Sequence, residues 1–165
     1  MKRIVLFATM ALMFSPMCAS AMVGAQGNAQ VAITVPHIIE ISMDSTAQTV
    51  ENSVSVSDMQ NGYKEGIDGG YLTVSTNDEW ALSVRSEFST FYGTGDNSKA
   101  VGNLSVSIDG NSYQALNDVY NVSLIGYSGP EIGGEHSIRY RFTCNSFDNP
   151  GSYVANLVYT VSNPL

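Results

Sequence analysis

The sequence predicts an all-β fold, a single antiparallel immunoglobulin-like β-sandwich of about eight strands. Three observations predict it. Apolar and polar residues alternate at period two in most segments after residue 30. Clusters of Gly, Pro, Asn and Asp separate those segments at spacings of roughly 8–20 residues. Past the N-terminal leader, no stretch carries the helical period.

The elements follow in order. Val31, Ile33 and Val35 alternate with Ala32 and Thr34. Pro36 interrupts the ladder because it has no N–H to donate, and Ile39, Ile41 and Met43 resume it. This is the pattern of a first strand that switches sheets or runs along an edge. Val50, Val54 and Val56 predict a second strand near 48–57. Residues 71–76 form a third, Asn77-Asp78 a turn, and Trp80, Leu82 and Val84 the inward face of a fourth. Leu72, Val74, Trp80, Leu82 and Val84 thus predict a hairpin with one apolar side. A polar loop over 88–101 precedes Leu104, Val106 and Ile108, which lead into Asp109-Gly110, a strong hairpin turn. Val119, Val122 and Leu124 mark a sixth strand, and Gly129-Pro130 with Gly133-Gly134 the next connection. Ile138, Tyr140 and Phe142 form the inward face of a seventh, with Arg139 and Arg141 outward as solvated edge charge. Tyr153 to Val161 completes the set after the turn Asn149-Pro150-Gly151. The spacing Asn149-Pro150-Gly151-Ser152-Tyr153 is that of a tyrosine corner, in which a Tyr near the start of a strand hydrogen-bonds back to the corner backbone.

The N-terminus reads as a secretory leader. Met1-Lys2-Arg3 is basic, residues 4–14 are apolar and too short to span a bilayer, and Ala19-Ser20-Ala21 offers a cleavage site. A second site follows Val23-Gly24-Ala25. Cys18 lacks the small residue that a lipidated Cys needs before it, since Ser15-Pro16-Met17 precedes it. The expected organisation is a signal peptide over 1–21, a flexible arm over 22–30, and a sandwich domain over 31–165. Cleavage removes two of the seven basic residues and none of the fifteen acidic ones, which leaves five against fifteen, a net charge of −10. Such a surface repels phosphate backbones, so no nucleic-acid partner is expected. No later apolar run approaches 20 residues, so no membrane span is expected. The expected location is exported: extracellular, cell-surface or periplasmic.

Two segments stand out, Leu72-Thr73-Val74-Ser75-Thr76-Asn77-Asp78-Glu79-Trp80, and Pro150-Gly151-Ser152-Tyr153 with Val158-Tyr159-Thr160-Val161. In these the chain resembles small secreted bacterial β-sandwich surface proteins of the WxL-like and fimbria-like families. The tripeptide Trp80-Ala81-Leu82 occurs once, because the chain has one Trp. These are core and turn residues, so the resemblance implies a fold and not a ligand.

Catalytic chemistry finds no candidates. Nucleophilic catalysis needs a base beside Ser or Cys, and neither His37 nor His136 stands in a nucleophile motif; both read as exposed or strand-end residues. Glu135, His136 and Cys144 lack zinc-ligand spacing, and Asp96-Asn97 and Asp109-Gly110-Asn111 lack the acidic ladder of a calcium loop. No catalytic residue, cofactor or metal is expected, and the chain does not read as an enzyme. Phe88, Phe91 and Tyr92 beside a Gly/Asp/Asn loop are the candidate ligand contacts. Cys144 shares the parity of Ile138, Tyr140 and Phe142, so it reads as a buried structural thiol. The function that fits is an exported structural or adhesive surface protein, a fibre subunit assembling by strand addition. Its arm and the strand over 31–35 would then join the edge of a partner, itself or another surface protein. The alternative is a soluble extracytoplasmic glycan- or ligand-binding module using the 88–98 and 129–135 loops.

Overall fold

The computed structural model describes residues 32–163; the expected signal peptide over 1–21, the arm over 22–30, and Val31 lie outside the described residues. By backbone proximity the chain divides into residues 1–35 and 36–165. Of the first unit, residues 32–35 are described; they join no strand, and Ile33 and Val35 are 83% and 73% exposed.

The second unit is an antiparallel β-sandwich. Its strands are β1 (Ile39–Met43), β2 (Tyr63–Thr76), β3 (Trp80–Ser86), β4 (Leu104–Ile108), β5 (Gln114–Ala115), β6 (Val122–Ser128), β7 (Glu131–Thr143) and β8 (Leu157–Ser162). One sheet has the order β1-β2-β7-β4-β5 and the other β6-β3-β8. The inward residues Leu72, Val74, Trp80, Leu82, Val84, Val106, Ile108 and Ile138 are fully buried between the sheets. This is the period-two alternation expressed as packing.

Several expectations need correction. The hairpin over 72–84 does not form: β2 and β3 lie in different sheets. The inward faces are as expected, but residues 77–79 contain no positive φ. Two-residue hairpins favour turns with positive φ, and ordinary turns splay the strands. Thr76 Oγ1 instead braces the crossing, accepting from Asp78 N at 3.2 Å. Asp109-Gly110 is the contrast: both residues have positive φ, 50° and 75°, and the chain returns to pair β5 with β4.

The strand expected over 48–57 is absent. Two short helices, α1 (Ser45–Gln48) and α2 (Val56–Asn61), occupy this region. Asp44 caps α1 by accepting from Ala47 N at 2.6 Å. Ser55 and Asp58 form a reciprocal capping box at α2, and Gly62 ends it in the left-handed conformation. Val50 and Val54 pack on the core from the connection between them, while Val56 is exposed. Local caps thus override a weak valine alternation.

β2 begins at Tyr63, well before the expected residue 71. Its first half carries Gly66, Gly69 and Gly70, and its pairing with β7 slips between Lys64 and Ile67 and between Asp68 and Tyr71. These glycines mark bulges inside a strand. A Cβ at Gly69 would lie 2.6 Å from Tyr140 Cε2, so that backbone lies directly on the core. Gly133 and Gly134 likewise belong to β7 rather than to a connection. Val119 is exposed and outside β6, because the Asn117 side chain turns the chain by accepting from Val119 N at 2.7 Å. Residues 153–161 are not one strand; Val154 bridges Tyr92 singly before β8 begins at Leu157.

The tyrosine corner is present. Tyr153 Oη donates to the Asn149 carbonyl at 2.7 Å, and its ring packs edge-on to Phe91 at 5.9 Å.

Candidate functional site

The two sheets are unequal, and the inequality creates a cleft. β1 is the edge of the five-stranded sheet and β8 the edge of the three-stranded one. Ile39, Ile41 and Met43 stand directly opposite Thr76, Val74 and Leu72, and directly opposed residues share a face. That face is inward: Thr76, Val74 and Leu72 are fully buried, yet Ile39 and Ile41 are each 39% exposed. In β8, Leu157, Tyr159 and Val161 oppose the buried Ser86, Val84 and Leu82. They too face inward, and they are half-buried. β8 approaches β1, and among the described residues no strand pairs with the outer edge of β8. The result is an open cleft of about 320 Å³ lined by Ile41, Ser42, Met43, Leu157, Val158 and Tyr159, none of them charged. A sheet edge presents unpaired N–H and C=O groups, a template for another strand.

Tyr159 closes the floor of this cleft against the other sheet. Its hydroxyl lies 2.8 Å from that of Tyr140. Burial pushes the acidity constants of both phenols upward, and for Tyr159 the neighbouring Tyr140 adds to the effect. Both therefore stay protonated in the folded state above pH 10, where tyrosines of the unfolded chain ionise. The unfolded state then binds fewer protons, so stability is complete below about pH 10 and falls as pH rises above it. Urea melts between about pH 9 and 11 should show this fall, and Tyr159→Phe should reduce its slope. A flat profile in the wild type would contradict the buried pair.

The aromatic loop is only partly as expected. Phe91 is 3% exposed and belongs to the core, packed edge-on to Phe142 at 5.5 Å. Phe88 and Tyr92 are exposed and meet edge to face at 6.2 Å. They border a shallow cleft of about 630 Å³ with Asn97 and Asn156. Tyr92 Oη donates to Asn156 Oδ1 at 2.6 Å, and Asn156 Nδ2 to Glu87 Oε2 at 2.9 Å. The 88–98 loop is thereby fixed to the segment before β8.

The titratable residues have structural partners. His136 is not a strand-end residue: it faces inward within β7 and packs against Trp80 at 5.4 Å. Its Nδ1 lies 2.6 Å from Asp109 and its Nε2 3.3 Å from Glu131. Arg139 and Arg141 lie on the outward face of a central strand rather than at an edge. Arg141 Nη2 donates to Glu65 at 2.5 Å and its guanidinium covers the Tyr113 ring at 4.2 Å. Lys99 Nζ donates to both oxygens of Asp148, at 2.7 and 2.8 Å, in a largely buried pair. Sequence patterning gave no sign of this pair, whose members are 49 residues apart. Among the described residues, no group of three or more His, Cys, Asp or Glu is placed to hold a metal ion.

Cys144 is 2% exposed and unpaired. Its N–H still donates to Gly62 O at 3.0 Å, one residue past the end of β7. Burial pushes its thiol up, and Asp58 and Asp148 add to that, which disfavours the reactive thiolate. Folded protein should therefore label with a thiol reagent at least about tenfold more slowly than protein in urea. Equal rates would place the thiol at the surface.

No protein-family model and no curated protein matches the chain.

Proposed function

We propose that the chain is an exported structural or adhesive surface protein, a fibre subunit that assembles by strand addition. The single observation behind this is the roofless cleft between β1 and β8. Two inward-facing isoleucines are left partly in water, beside an edge strand of half-buried apolar residues. One further strand next to β8 would satisfy the edge amides of β8 and cover Ile39 and Ile41. Burying that much apolar surface contributes about 25 cal/mol per Å², and the main-chain hydrogen bonds add affinity without demanding a particular side chain. Sedimentation of the exported protein over a concentration series tests it. Wild type should form multimers, and Ile41→Asp, which puts a charge on the cleft wall, should remain monomeric. Wild type that stays monomeric at every concentration would overturn the reading.

A second reading is a glycan-binding module, favoured by the exposed Phe88–Tyr92 pair beside Asn97 and Asn156. Aromatic faces with adjacent amides suit a sugar ring and its hydroxyls. A glycan array on wild type and on Tyr92→Ala tests it; absence of binding by wild type removes it.

A further inference from the structure

We propose that His136 is a proton-operated latch that holds the exposed tip between β6 and β7 in place. The device is complete within one chain and owes nothing to strand addition.

His136 points inward from β7, directly opposite the buried Leu72 on β2 and against the Trp80 ring of β3. Its side chain is 12% exposed. Nδ1 lies 2.6 Å from Asp109 Oδ2 in the turn between β4 and β5, and Nε2 lies 3.3 Å from Glu131 Oε2 at the start of β7. Among the described residues these two carboxylates are the charged groups paired with the ring. β2 and β3 meet it with Leu72 and Trp80, which do not titrate.

Both ring nitrogens thus face acceptors. An ionised carboxylate only accepts, and a neutral imidazole has one N–H and one lone pair. The imidazolium alone donates to both sides, through charge-assisted bonds. Loss of one proton keeps an N–H on one nitrogen and aims a lone pair at the other carboxylate.

The geometry decides which contact gives way. The Asp109 contact is the shorter, and Asp109 is fixed a second time: its Oδ1 accepts from Ser137 N at 2.8 Å, and its own N–H donates to the Ser137 carbonyl at 2.9 Å. The Glu131 carboxylate has His136 as its one hydrogen-bond partner among the described residues. Deprotonation therefore releases Glu131.

Glu131 is seated where its release matters. Its side chain folds back over Gly134, where a Cβ would collide with the carboxylate. Between them Gly133 turns in the left-handed region, at φ 67°, and donates its N–H to Ser75 Oγ at 3.0 Å. Opposite this stretch the pairing of β2 with β7 is already irregular, between Val74 and Thr76. The adjoining tip carries Tyr127 and Ile132, each 74% exposed, on either side of Gly129-Pro130. The latch is shut while His136 holds its second proton and opens as pH rises and that proton leaves, which makes the presentation of this apolar pair depend on pH.

NMR of the dilute exported protein between about pH 5.5 and 8.5 tests this. The His136 ring signals report its protonation. Amide exchange, expressed as protection factors to remove its intrinsic pH dependence, reports the tip. Protection of the Gly133 amide should fall at least about tenfold as the ring loses its proton, while that of Val84, inside β3, should stay within about twofold. Glu131→Gln should abolish the fall at Gly133, because a carboxamide accepts from the imidazolium and donates to the neutral ring. A ring that loses its proton with Gly133 protection unchanged would overturn the latch. So would a ring whose protonation does not change over the range. A fall at Gly133 that persists in Glu131→Gln would overturn the assignment to this contact.

Discussion

Replacing Trp80 by Ala is expected to destabilise the domain by about 3–5 kcal/mol. Trp80 is fully buried at the start of β3, where the chain has just crossed from one sheet to the other. Its ring fills the space over His136, at 5.4 Å between centroids. Truncation removes the largest buried side chain and leaves a cavity that two hydrogen-bonded sheets cannot collapse to fill. Since small domains are stable by roughly 5–15 kcal/mol, the variant should be close to unfolding. The indole Nε1 has no hydrogen-bond partner among the described residues. Trp80→Phe therefore gives up volume but no bond, and should cost roughly half as much or less. Urea melts measure both. A cost below about 1 kcal/mol for the Ala variant would contradict the burial.

Asp148→Ala is expected to cost about 2–4 kcal/mol, because it leaves the Lys99 ammonium buried without a counter-charge. Lys99 is held at 2.7 and 2.8 Å by both carboxylate oxygens and lies 5.1 Å from the centre of the Phe142 ring. Asp148 also accepts from Asn145 N at 3.0 Å, so its loss loosens the corner after β7. The pair joins the 88–101 loop to the segment that carries the tyrosine corner. Replacing a buried pair by apolar residues is often neutral, whereas breaking it is not. Lys99→Met combined with Asp148→Leu should therefore recover at least about half of the single-variant loss. Additive losses in the double variant would show that the two side chains act separately.

What was legible in the sequence is what is local. Period-two alternation placed Leu72, Val74, Trp80, Leu82, Val84, Ile138 and Tyr140 in the core. Asp109-Gly110 announced its hairpin, and Asn149 to Tyr153 announced the corner. Failures arose where one residue type serves two purposes. Gly66, Gly69 and Gly70 look like a loop but bend a strand, and Ser55 and Asp58 look like loop residues but cap a helix. Among the described residues the strand count agrees at eight, although the set differs: β5 is not expected from the sequence, and no strand forms over 48–57.

The candidate site was legible only in its parts. Alternation places Ile39, Ile41, Tyr159 and Val161 in strands. That β1 and β8 would be neighbouring edges of two unequal sheets depends on pairings as distant as Ala81 with Ser162, which no local pattern encodes. The 88–92 aromatics stand out in the sequence, but their division into a core residue, Phe91, and an exposed pair depends on how the loop folds over Phe142. The Lys99–Asp148 pair is long-range in the same way.

The central claim is that β8 has an unfilled partner position. Hydrogen exchange of the Leu157–Ser162 amides, in the dilute monomer and in the assembled protein, tests this most directly. In an edge strand, alternate N–H groups point away from the paired neighbour. Here that neighbour is β3, and the outward amides should exchange rapidly in the monomer. Assembly should slow those alternate amides by at least about tenfold, and leave the ones already bonded to β3 unchanged. Rapid exchange of the outward amides in the assembled protein would contradict the account.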